Sequence, residues 1–451
     1  MPDPPGDGDR RRRWRTLALV LACLAALPQL VTYWSYVHQG QYPGSAFKPR
    51  LDAMLEVSAV AARHGPILAM GGPRLFRAVD RIQPDLGLPA LADVLGRLRG
   101  EPISLRTLGA INLAFLGLAL FSLIAALPAP HRWGLVPLFL LVPLYSAAYV
   151  SADIPTIHGA FAVLAFVVPL TILRTEATWV AAGAGVLLVV VFWFRAVYGY
   201  YGALTLLAMM AWMLLLRRDR TRVRVLRGTM AALLATALLS VPWSLALRAR
   251  RRDPRLPDKD AIGTHDVFKP LISGIGWTPN RWGIAPWDPR VAQFIGDRLG
   301  VDPIPIFTNE SEKRARVVYA SLWREAPGHL AKLYLARIPR AFSDDFFGGA
   351  VGTAAWLLAA AGALAWSWRR GESDHSPIVL GSAVMILCLV AQSVLLDPRL
   401  LYAYPLRVMS ALGLGASLTS IVLLGSPLVH AYRSRRKTTS GGSGSSAFTR
   451  S

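Results

Sequence analysis

The sequence predicts an all-α polytopic membrane protein of about ten transmembrane helices, and three observations predict it. Hydrophobic residues make up 53% of the 451 and charged ones only 17%, far fewer charges than soluble domains carry. Apolar runs of near-spanning length recur along the chain, each long enough or nearly so to cross about 30 Å of hydrocarbon. Arginines cluster at the ends of these runs, on alternate connections, as topology signals do.

The expected spans are residues 16–36, 106–127, 134–150, 157–173, 178–195, 198–216, 229–247, 351–368, 377–396 and 404–426. Ahead of the first lies the basic stretch Arg10–Arg15, which places the N-terminus in the cytoplasm. No small-x-small cleavage site ends that run, so it is expected to stay as a membrane helix rather than a signal peptide. Alternation then puts His131-Arg132, Arg174, Arg217–Arg227, Arg369-Arg370 and Arg433–Lys437 on the cytoplasmic side, with the C-terminus. Two long hydrophilic stretches, 38–105 and 249–350, fall together on the outer side, within one membrane domain over 1–437. The Gly/Ser-rich tail 438–451 is expected to be disordered.

Both outer loops are expected to carry amphipathic helices lying in the interface plane. Leu51, Met54 and Leu55 form a short stripe, and Leu91, Val94, Leu95 and Leu98 a stronger one. In the second loop Pro327 suits a helix start, with Leu330, Leu333, Tyr334 and Ile338 on one face. The segment between is rich in Pro, Gly and Trp, which predicts ordered irregular structure. At the start of this loop Arg248, Arg250, Arg251, Arg252 and Arg255 stand where lipid headgroups or a substrate phosphate would sit.

A net charge of +22 would ordinarily raise nucleic acid as a partner, but the cations cap apolar runs instead of lining a polar face, so that class is excluded. Cys23 and Cys388 both lie inside apolar runs, which offers neither a disulfide nor a thiolate metal site. There is no metal-ligand spacing, Gly-rich phosphate loop or Ser/His/Asp arrangement. The lack of an internal repeat and of mid-span polar residues argues against a transporter.

Candidate chemistry sits on the outer side. Asp52 and Glu56 share a helix face, where a partly desolvated carboxylate gains basicity. A solvated helix face explains Glu56 as readily, and dipole complementarity explains Asp52. Asp153 lies in the connection before the fourth span, with His158 close behind; an ordinary cap before Pro155 accounts for the aspartate equally well. Arg195, flanked by Phe194 and Trp193, and Arg399, followed by Tyr402, suit phosphate oxygens or simple snorkelling. His265 and Arg281 belong to the aromatic-rich 265–288 segment, suited to a sugar or lipid surface.

With these residues in place, the chain resembles the GT-C membrane glycosyltransferases, in the bacterial branch of protein-mannosyltransferase-like and lipopolysaccharide-core-modifying enzymes. The resemblance rests on an acid just after span one, an acid at the next outer connection, and an Arg/Tyr-containing outer end near the last span. The stretch from His265 through Gly274-Ile275-Gly276 to Asn280, Gly283-Ile284 and Trp287-Asp288 is similar to a loop in bacterial relatives. It implies a bacterial inner-membrane enzyme moving a sugar from a polyprenyl-phosphate donor to a glycan, lipid or protein acceptor at the outer face. Asp52 would then be the general base, Asp153 the second-loop acid, and Arg399 a partner of the lipid phosphate. Glu56, His158, Arg195, His265, Arg281 and Tyr402 would complete the substrate site. Family members often have two adjacent acids after span one, whereas Asp52 is followed by Ala53, which weakens the metal requirement but leaves a divalent cation open. The alternatives are a cell-envelope glycan polymerase or ligase using His265 and Arg281, a transport protein, and a non-catalytic assembly partner.

Overall fold

The computed structural model describes residues 7–38, 87–100, 104–142, 158–216, 220–251, 267–286, 288–303, 309–343, 357, 360–365, 368, 376–396 and 400–425. All regular structure among them is helical. The helices are α1 (Asp7–His38), α2 (Gly87–Arg99), α3 (Leu105–Ala126), α4 (Ala129–Leu141), α5 (His158–Arg174), α6 (Thr178–Phe194) and α7 (Ala196–Leu216), then α8 (Arg220–Arg251) and α9 (Phe268–Gly276). After these come α10 (Asp288–Leu299), α11 (Asn309–Glu325), α12 (Pro327–Ser343), α13 (Ser376–Leu395) and α14 (Leu400–Gly425).

Five stretches are long and apolar enough to cross a membrane: Arg12–Ser35, Arg106–Ala126, Ala196–Leu215, Arg222–Pro242 and Ser376–Leu395. Shorter apolar helices run Gly159–Arg174, Thr178–Phe194 and Val408–Val422. Local chemistry sets their ends. Ser104 caps α3 by accepting the Thr107 N–H at 3.2 Å. Pro128 then stops α3 from continuing and stands as N-cap of α4.

Helix α5 is apolar all round, and that dictates its place. Ala160 to Val168 are at most 1% exposed, and the helix packs against α3, α6, α7, α8, α13 and α14. A helix without a polar face must be surrounded. By contrast α1 shows Leu17, Val20, Leu24, Leu27 and Val31 outward as one stripe, with exposed Trp14 and Trp34 at its two ends, about 30 Å apart by helical rise. That is the depth of a bilayer's hydrocarbon, with aromatics at both interfaces.

Contacts sort the helix ends into two sets. Trp14 lies 5.8 Å from Trp133. Leu127 and His131 share a small cavity with Ile378 of α13, and Ser376 takes a 2.9 Å hydrogen bond from Trp212 of α7. One end of the bundle therefore collects Arg12, Arg13, Arg15, Arg132, Arg222 and Arg227. Arg132 and Arg222 close helix C-termini, where carbonyls lack partners, and Arg227 ties down the connection between α5 and α6. Arg132 donates to Ile124 O at 2.9 Å and Leu127 O at 3.0 Å, Arg222 to Leu214 O at 2.9 Å, and Arg227 to Glu176 O at 2.7 Å.

The opposite end carries a helical cap, α9 to α12, with its own core of Ile272, Ile275, Val291, Val318, Leu322 and Leu330. Here the structure differs from the expectation of irregular chain between interface helices. Pro and Gly punctuate this segment without preventing helices of 9, 12 and 17 residues, because their apolar faces close on one another. Helix α12 does begin at Pro327 and buries Leu330, Leu333 and Tyr334. Helix α2 splits its apolar residues: Leu91 and Leu95 face α3, while Val94 and Leu98 are 47% and 78% exposed. Asp52, Glu56, Asp153, His265 and Arg399 lie outside the described residues, as do the tail 438–451 and the side chains of the Arg248–Arg255 cluster.

Candidate functional site

At the cap-bearing end, α6 and α7 meet in a corner of one residue, Arg195. Its extended backbone (φ −157°, ψ 91°) ends α6, its N–H reaching Val191 O at 2.8 Å. Its carbonyl then accepts from Tyr198 N at 3.0 Å and starts α7. So tight a turn needs Gly199, where a Cβ would come within 2.8 Å of the Phe192 Cα. Gly87, first residue of α2, packs against the same corner, its missing Cβ leaving room for Trp193 O at 2.6 Å.

Burial of this arginine is the notable outcome: only 7% of Arg195 is exposed. A buried guanidinium stays charged and demands acceptors, so it is a poor snorkel and a suitable anion contact. Beside it an aromatic floor brings Phe115 within 4.6 Å of Phe194 and 5.1 Å of Phe161. One turn along α7, Tyr201 donates to Gln392 Oε1 of α13 at 2.8 Å, and Tyr198 is fully buried.

Phe115 also closes a groove between α2 and α3. Leu91, Leu95 and Arg99 form one wall, and Thr107, Ala110, Ile111, Ala114, Phe115 and Leu118 the other, around about 360 Å³. The small Ala110 and Ala114 open it. It faces outward beside the exposed Leu118 and Phe121, with Arg99 on its rim and Arg106 exposed nearby. An apolar slot of this size fits hydrocarbon chain, and its guanidinium rim fits an anionic head.

The remaining expected residues are placed as follows. His158 is the first residue of α5, one turn before Phe161, and Tyr402 lies in the first turn of α14, so both backbones stand at the Arg195 end. Arg281 is in the cap, at the apex of a turn built by Asn280, whose Oδ1 accepts from Trp282 N at 3.2 Å and Ile284 N at 3.0 Å. Gly283 supplies the positive φ of 67° that this turn requires. Arg281 pairs with Glu325 at 3.8 Å. Glu325 also accepts from Arg298 at 2.9 Å and from Trp282 Nε1 at 3.0 Å. These two hydrogen bonds, Arg298's first, hold its carboxyl below the usual glutamate value. Arg281 thus joins a lattice within the cap and makes no described contact with the Arg195 corner.

Sequence reasoning missed Arg337, which is 1% exposed. It sits on the same face of α12 as Leu333 and Tyr334, and a cation in an apolar stripe was the available signal. It missed Tyr201 and Gln392 because nothing in the sequence pairs positions 191 apart. Among the described residues no three His, Cys, Asp or Glu side chains come together. No protein-family model, curated protein or solved structure matches the chain.

Proposed function

We propose that the chain is an integral membrane glycosyltransferase of GT-C type. It would move a sugar from a polyprenyl-phosphate donor to an acceptor at the cap-bearing face. In this reading ten helices cross the inner membrane of a bacterium, and the arginine-rich end with both termini faces the cytoplasm, as positive charge prefers. The observation that carries it is the α2–α3 groove. It offers apolar lining to a lipid chain, cations at its rim, and an inner end at Phe115, beside the buried Arg195 corner.

The chemistry is a single displacement. Asp52 would take the proton of the acceptor hydroxyl, the oxygen would attack the anomeric carbon, and the lipid phosphate would leave with the bonding electrons. Arg195 and Arg399 would stabilise the departing charge, a contribution that grows as the phosphate accumulates charge. Asp153 would be the second acid, with Glu56, His158, His265, Arg281 and Tyr402 holding sugar or acceptor.

The test is a membrane assay with radiolabelled polyprenyl-phosphate sugar. Wild type is expected to give labelled product, Asp52→Asn to lose it, and Arg195→Ala to lower it by on the order of a hundredfold. Full activity of Asp52→Asn removes the base. Label that crosses vesicles without forming product replaces the enzyme with a transporter.

A further inference from the structure

The cap carries a charged face that the packing of the bundle does not explain. Helix α11 turns Ser311, Ala315, Val318 and Leu322 inward and buries them. By helical spacing its opposite side presents Lys313, Arg316, Val317, Ala320, Trp323 and Arg324, all exposed except the half-buried Ala320. The three acids of the helix are committed elsewhere. Glu310 accepts from Arg314 at 3.0 Å, Glu312 from the Val267 N–H ahead of α9 at 2.9 Å, and Glu325 from Arg298 at 2.9 Å. Lys313, Arg316 and Arg324 make no ion pair with any described carboxylate. They stand at the end of the bundle opposite the arginine-rich one, so they are no part of its charge signal.

Aromatic contacts shape this face. The Arg316 guanidinium lies over the Phe268 ring, 5.9 Å from its centre, which steadies it. Trp323 stands 6.3 Å from Tyr334 and 6.5 Å from Tyr319, yet stays 36% exposed. Between Arg316 and Trp323 the small Ala320 leaves a step in the surface.

We propose that the outward face of α11 binds an anionic glycan of the uronic-acid kind. A carboxylate on the sugar takes the paired donors of a guanidinium, while the C–H face of the ring lies on the open indole. From Lys313 to Arg324 is about 16 Å along the helix, which suits an oligosaccharide better than a lone phosphate. A membrane surface is the poorer match. Helix α11 has spent its apolar side on the core of the cap, and an interfacial helix keeps that side for lipid. A run of glutamates satisfies the cations but offers the indole no ring.

The test uses the full chain in phosphatidylcholine nanodiscs and follows the fluorescence polarisation of labelled hexagalacturonate. This hexasaccharide is expected to bind, more weakly as salt rises, and labelled neutral maltohexaose is expected not to. Arg316→Gln/Arg324→Gln should lower the affinity about tenfold. Both side chains are exposed, so the double variant should unfold at the wild-type temperature. Trp323→Leu should weaken binding severalfold without altering its salt dependence. Binding is read without turnover, so the result does not depend on the glycosyltransferase reading. Failure of the hexagalacturonate to bind, equal binding of maltohexaose, an unchanged affinity in the double variant, or a hexaglutamate peptide that binds as tightly overturns the proposal.

Discussion

Arg337 donates through Nη1 to the carbonyl of Val394 at 3.1 Å, joining the cap to the last turn of α13. The same guanidinium donates to Gly274 O, in the last turn of α9, and through Nε to Thr278 Oγ1 at 2.8 Å. One buried cation therefore serves two helix C-termini, where partial negative charge accumulates. Leucine here would leave buried carbonyls unsatisfied, and Arg337→Leu should cost on the order of 2–3 kcal/mol. Lysine cannot span the three acceptors, so Arg337→Lys should recover only part of the loss. Thermal unfolding of the two variants measures both.

Gly274 is the other half of this joint. A Cβ there would run into the Leu395 carbonyl and come within 2.9 Å of Leu396 O. Backbone cannot move aside as a side chain can, so Gly274→Ala should lift the cap off α13 while leaving the bundle folded. Limited proteolysis in detergent should then cut between 267 and 343 faster than in wild type, and equal cleavage rates would refute this.

Acid should loosen the cap through Glu325. Its folded pKa is lowered, so its stabilising share is fully present above the ordinary glutamate value near 4.5 and is lost as pH falls through the lower folded value. Because the group is exposed, the effect is local and small. Protonation weakens the contact that Trp282 Nε1 makes at 3.0 Å. A tryptophan fluorescence change below about pH 4.5 should therefore appear in wild type and be absent from Glu325→Gln.

The groove predicts a separation of kinetic constants. Ala114 is exposed on its wall, so Ala114→Trp fills the slot without entering the bundle interior. The KM for a long-chain lipid donor should rise about tenfold with kcat little changed, because remote chain binding has been removed. A water-soluble short-chain donor should show no such rise. Equal effects on both donors would dissociate the groove from the lipid.

Much of the membrane architecture was legible beforehand. The first expected span, 16–36, falls within α1, and the second, 106–127, overlays α3 to within a residue of each end, because hydropathy and terminal caps are properties of neighbouring residues. The basic end was legible for the same reason, since each arginine cluster abuts its own apolar run. Arg195 was singled out by its aromatic neighbours, yet whether it snorkels or is buried depends on α2 and α3, far away in the chain. The part of the cap ahead of Pro327 reads as irregular in the sequence because the apolar faces of its helices partner one another and not the chain beside them, whereas the helix from Pro327 was legible.

What the sequence by itself determined is which segments are apolar, where they start and stop, and which of their ends carry positive charge. Those follow from local composition, because burial in hydrocarbon and repulsion from it act on each segment separately. Tertiary structure alone decided that Arg195 and Phe115 share a corner, that Ala110 and Ala114 open a groove at the outer surface of the bundle, and that Arg337 closes two helices at once. Each of these depends on which faces of distant helices meet, and side-chain packing between helices sets that only when the bundle is assembled.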